Sequence, residues 1–117
     1  MPADEVLDPS VVAELRLAQE VYANPEFIAQ LVTLFRTHAP AKIDHLREAA
    51  AAGNLPVIEH LAHTLKTNCA MLGATRMAGA CGRMEMAAAR ADLPAAVAAR
   101  EEVERLLPGV LAALSEL

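Results

Sequence analysis

The chain has 117 residues, a net charge of -5 and a hydrophobic share of 55% with only 3% aromatic residues. That length suits one domain, residues 1–117, around one core, and the acidic balance argues against a nucleic-acid partner, which would meet a basic face. No apolar run approaches the roughly 18 residues that span a bilayer, so no membrane partner is expected.

Alanine, leucine, valine and methionine supply most of the apolar volume, and no useful apolar/polar alternation occurs, so the composition reads all-α. Residues 1–9 form a lead-in. Its start, Met1-Pro2-Ala3-Asp4-Glu5, is acidic and has no signal-peptide core. Ser10 is placed to cap a short helix through about Gln19, with Val11, Leu15 and Ala18 on one side. Asn24-Pro25 reads as the next helix start. The series Ile28, Leu31, Phe35, Ala39, Ile43, Leu46, Ala50 keeps helical phase across Pro40, which predicts one long helix kinked there and ending at Gly53.

Asn54 caps a third helix with Pro56 in its first turn. Its inward stripe is Ile58, Leu61, Leu65, Cys69 and Leu72, and Gly73 stops it. Thr75 caps a fourth helix with Met77, Ala80 or Cys81, Met84 and Ala88 inward. Asp92-Leu93-Pro94 opens the last helix, whose stripe is Val103, Leu107, Val110, Leu114 and Leu117. Short connections predict antiparallel neighbours: a four-helix bundle with an additional short N-terminal helix. Cys69 and Cys81 fall inside helices without CxxC spacing, which predicts free thiols in a reducing, cytoplasmic setting.

On the third helix His63 falls opposite the leucine stripe, and His60, His63, Lys66, Thr67 and Ala70 share one outward face. Lys66 stands within one turn of His63. A cation there would favour a dianionic phosphoryl group on the imidazole and the neutral, nucleophilic form of the ring. Ala70 and Thr67 leave room for a partner, with His60 beside them. The bland reading of the same spacing is a solvated histidine on a polar face.

The run Leu61-Ala62-His63-Thr64-Leu65-Lys66, with Gly73-Ala74 closing the helix, resembles the histidine-containing phosphotransfer (HPt) domain. The likeness extends to the helix order of the whole chain. It implies that His63 accepts a phosphoryl group from an aspartyl phosphate on a receiver domain and passes it to another receiver. Lys66 would steady the phosphate and Gly73 would shape the turn. The domain would be a phosphotransfer intermediate with no kinase activity of its own and no cofactor. Its partners would be receiver domains of response regulators or hybrid histidine kinases, and these would supply Mg²⁺. A monomer is expected.

The family places glycine after the lysine, and here Thr67 stands there. Its side chain would crowd the ring, or its hydroxyl would bond the phosphate or the helix backbone. That departure favours the alternative, a receiver- or kinase-binding module that carries no phosphate. A di-iron bundle needs Glu-x-x-His, but Phe35, Lys42, Val57 and His60 stand three residues before the four histidines, so no metal ligands are assigned. Arg76, Arg83 and Arg90 recur every seven residues on the fourth helix. They read either as a solvated face, with Glu85 nearby, or as a meeting point for an acidic receiver.

Overall fold

The computed structural model describes residues 6–117, so the acidic start Met1–Glu5 lies outside the described residues. Among the described residues five helices are laid out in order: α1 Pro9–Val21, α2 Phe27–Ala51, α3 Leu55–Met71, α4 Thr75–Ala89 and α5 Leu93–Leu114. Helices α2 to α5 form the antiparallel bundle. Helix α1 lies at one end against α2, and the molecule extends over 45 × 26 × 20 Å.

All four connections use the same backbone device. A residue in the left-handed region ends each helix: Ala23 (φ 51), Gly53 (φ 65), Gly73 (φ 79) and Ala91 (φ 57). Its N–H and that of the next residue bond back to carbonyls of the last turn, as in Gly73 N to Ala70 O at 3.1 Å and Ala74 N to Cys69 O at 2.9 Å. This is the Schellman arrangement. The second residue then doubles as the N-cap of the following helix at Asn54, Ala74 and Asp92. A two-residue link of this kind folds consecutive helices back on each other.

Asn54 and Asp92 cap as expected, accepting from Val57 N at 3.3 Å and Ala95 N at 3.1 Å. Three expected starts are corrected. Asp8, not Ser10, caps α1, since Pro9 occupies the first helical position and the Asp8 carboxylate accepts from both the Ser10 N–H and hydroxyl. Asn24 caps a turn two residues ahead of α2, accepting from Glu26 N at 3.1 Å. Thr75 is the first residue of α4, with its hydroxyl on Gly73 O, and the cap position belongs to Ala74. Helix α2 runs unbroken through Pro40, and the carbonyl that proline leaves unpaired belongs to exposed Arg36.

The core follows the inward stripes with small rotations. Ala62 is fully buried where Leu61 was expected, Val12 replaces Val11, and Ala49 lies deeper than Ala50. Leu117 is exposed beyond the end of α5. Alanines at 39, 62, 80, 87 and 96 let the helices approach closely around Leu46, Leu65, Met77, Met84 and Val103. Each such large side chain, removed fully from water, contributes about 1.5–3 kcal/mol before entropy is counted. Cys69 and Cys81 are free thiols within this core. The Cys69 thiol is pushed far above its usual range by its hydrogen bond with Cys81 and by burial, so both act as packing groups.

Candidate functional site

His63 stands on the open face of α3 with 60% of its side chain exposed. Its Nδ1 lies 2.9 Å from Oε2 of Glu85 on α4. The other oxygen of the same carboxylate, Oε1, accepts from Lys66 Nζ at 2.7 Å. One carboxylate thus holds the imidazole and the ammonium together across the α3–α4 seam. Glu85 itself is mostly covered, at 22% exposure.

The hairpin explains this meeting. An antiparallel pair folded about Ala74 brings together positions at about equal distances from that residue. Cys69 faces Cys81, Lys66 faces Gly82, and His63 faces Glu85. The Lys66 stem passes 3.5 Å from where a side chain at Gly82 would begin. Glu85 is therefore not the bystander that the sequence pattern suggested. Reflecting the chain about Ala74, which carries position 63 onto position 85, is the signal that would have found it.

Lys66 is accordingly not a free cation beside the histidine. Its charge is met by Glu85, which offsets the influence it was expected to exert on the ring. The reciprocal effect falls on Glu85: its carboxyl is held below the usual carboxylate range. The Lys66 hydrogen bond is the main cause, partial burial opposes it, and the His63 contact adds to the lowering.

Thr67 does not use its hydroxyl on the ring. Its Oγ1 donates to the His63 carbonyl at 3.2 Å, the threonine back-bond available one turn along a helix. Thr64 makes the same bond to the His60 carbonyl at 3.1 Å. His60, Thr67 and Ala70 are all exposed beside His63. Asn68 turns to the other flank of α3, where its Oδ1 accepts from Lys42 Nζ at 3.0 Å and ties α3 to α2. Next to that bond lies an apolar groove of about 320 Å³, with Leu34 and Met71 exposed at its lip.

Gly73 carries two constraints. Its left-handed φ disfavours any Cβ, and a Cβ there would stand 3.1 Å from Val11 Cβ and 3.2 Å from Asp8 N. The Asp8 N–H also donates to the Gly73 carbonyl at 2.8 Å, so the start of α1 closes over the turn.

A family model described as Hpt domain matches residues 30–116. Among solved structures, histidine-containing phosphotransfer protein B (HptB) from Pseudomonas aeruginosa PAO1 is 31% identical, with a TM-score of 0.84 over 95% of this chain and 92% of that one. The histidine-containing phosphotransfer protein ZmHP2 from maize gives a TM-score of 0.88 over 99% of this chain and 85% of that one. At 21% identity this second likeness concerns the fold alone. No curated protein sequence matches the chain.

Proposed function

The chain belongs to the Hpt domain family and serves histidine phosphotransfer in two-component signalling, and from that premise we propose that His63 is its phosphoryl carrier. The observation that carries this reading is the 2.9 Å contact from His63 Nδ1 to a carboxylate, made by a ring that stays open to solvent. An ionised carboxylate only accepts hydrogen bonds. A neutral imidazole facing it carries its proton on Nδ1, and the lone pair is left on Nε2.

The Nε2 lone pair attacks the phosphorus of an aspartyl phosphate on a receiver domain. The N–P bond forms, the P–O bond to the aspartyl carboxylate breaks, and that carboxylate leaves with the bonding pair. The phosphorylated ring keeps its Nδ1 proton and becomes an imidazolium, whose positive charge faces Glu85. In the return direction the same imidazolium is a good leaving group. Glu85 is thus a positioning residue: it orients the ring and keeps the proton on its Nδ1 throughout. Lys66 Nζ, already within a turn of the ring, exchanges its bond to Glu85 for one to the new phosphoryl oxygens.

Hpt proteins are phosphotransfer intermediates, and we read no autonomous kinase activity into this one. The partners are receiver domains of response regulators or hybrid kinases, and Mg²⁺ on the receiver shields the transferring group's charge. The docking face is the outward side of α3, at His60, Thr67 and Ala70, together with the adjoining α2 groove. The setting is the cytoplasm and the carrier a monomer. The test is incubation with a ³²P-labelled phosphoreceiver and Mg²⁺. Acid-labile label should appear on the native protein and be absent from His63→Gln. Label persisting on His63→Gln would remove His63 from the role. Failure of the native protein to take up label from any receiver it binds would favour the non-carrying module.

A further inference from the structure

The second flank of α4 has a different character. Arg76, Arg83 and Arg90 stand two turns apart, in a row about 21 Å long, on the side that turns from α3 toward α5. Two grooves follow the α4–α5 seam, of about 520 and 380 Å³, and Arg105 of α5 lines both. Their inner surfaces are small and apolar, with Ala87, Ala95 and Ala99 in one and Val110 and Ala113 in the other. Met86 stands 59% exposed on the rim.

Charge along this seam is unbalanced. Among the described residues, four arginines line it against two glutamates, Glu102 and Glu116. Arg83 is matched by Glu102 at 2.8 Å, while Arg76, Arg90 and Arg105 form no ion pair among the described residues. A chain of net charge -5 therefore keeps a basic stripe over an alanine floor.

We infer that the α4–α5 seam docks an acidic amphipathic α-helix of a protein partner, apart from the face on which His63 stands. A floor of alanines lets a third helix axis approach to the 8–10 Å typical of helix packing. Glutamates seven residues apart on that helix would meet arginines of the same spacing. The unbranched thioether of Met86 adapts to the apolar face of such a ligand, and the arginine stems cover its edges. A single-stranded nucleic acid would want aromatic platforms, and the seam has none. This inference does not depend on which residue carries phosphate.

The test uses the full chain, ¹⁵N-labelled, and a synthetic 21-residue helical peptide with glutamate at every seventh position amid leucine and alanine. A scrambled peptide of equal composition is the control. NMR shifts should gather on Arg83, Met86, Arg90, Ala98 and Arg105 and spare His63 to Ala70. The scrambled peptide, and the doubly substituted Arg83→Glu/Arg90→Glu protein, should each bind at least tenfold more weakly. Arg90→Glu alone, which breaks no ion pair, should weaken binding at least threefold and keeps the test open should the double variant lose helicity. Phosphotransfer from a receiver should be unchanged in Arg90→Glu. Absence of binding, equal binding of the scrambled peptide, or shifts centred on α3 would each overturn the proposal.

Discussion

Helix α4 takes part in two antiparallel hairpins, one with α3 through Gly73 and one with α5 through Ala91. The backbone bonding of the two turns agrees position by position: Ala74 N to Cys69 O at 2.9 Å in the first, Asp92 N to Ala87 O at 2.9 Å in the second. Their flanks differ. On the α3 side one carboxylate serves two positive or potentially positive partners, so each of these three groups has a neighbour. On the α5 side three of four arginines have no ion-pair partner among the described residues. The same connection can therefore frame a chemically complete group or leave a charged row without its complement. What decides is which side chains the fold brings opposite one another.

The sharpest way to break this comparison is to move one charge on each flank. Glu85→Ala removes the ring's orienting partner, and the rate of phosphoryl uptake is expected to fall about tenfold to a hundredfold, the loss that misplacing a reacting group brings. Arg90→Glu should leave that rate within about twofold, since it touches neither the ring nor Lys66. Rapid-quench transfer from a labelled receiver measures both. Equal losses would mean that the two flanks act as one surface.

The turns come next. Gly73→Ala forces a Cβ into a left-handed backbone and against Val11 and Asp8, and should cost about 2 kcal/mol in urea unfolding. Ala91→Gly does the reverse. Relief of the left-handed alanine, less the added freedom of the unfolded chain, should stabilise by about 0.5–1 kcal/mol. A destabilised Ala91→Gly protein would show that the two turns are not equivalent.

Acid provides a smaller probe of the α3 flank. Glu85 has a depressed folded pKa, so its contribution is complete above the unfolded carboxylate value of about 4.3 and is lost as pH falls through the lower folded value. The stability difference between native protein and Glu85→Gln should stay constant from pH 7 to about pH 5 and shrink below about pH 4. A difference that fades near neutrality would contradict the assignment. Thr67→Gly is expected to have the smallest effect. It removes the back-bond to His63 and should cost about 0.5 kcal/mol, with a phosphoryl uptake rate no lower than native.

Helix identity and inward phase were legible because apolar residues recur every three or four positions and because Asn54-Leu55-Pro56 and Asp92-Leu93-Pro94 announce their starts. The ends at Gly53 and Gly73 were legible for the same reason. Those at Ala23 and Ala91 were not, since alanine in a left-handed turn gives no local signal. His63 and Lys66 could be placed on one face from helical spacing within a single element. Glu85 could not, because it meets them only through the hairpin, and its role needs the alignment across the turn. Thr67 offered two uses for its hydroxyl, and only the local helix geometry selects the His63 carbonyl.

The bond from the Asp8 amide to the Gly73 carbonyl has a further consequence. It joins residues far apart in the chain, whereas the main packing of α4 is on its sequence neighbours α3 and α5. Contacts of short range close quickly and those of long range close late, so α1 should dock after the helical hairpins have formed. The Asp8 amide proton is then a built-in reporter of that docking. In native-state hydrogen exchange it should exchange through an opening of lower free energy than the amides of Leu65 or Met84, recording the release of α1 while the bundle stays folded.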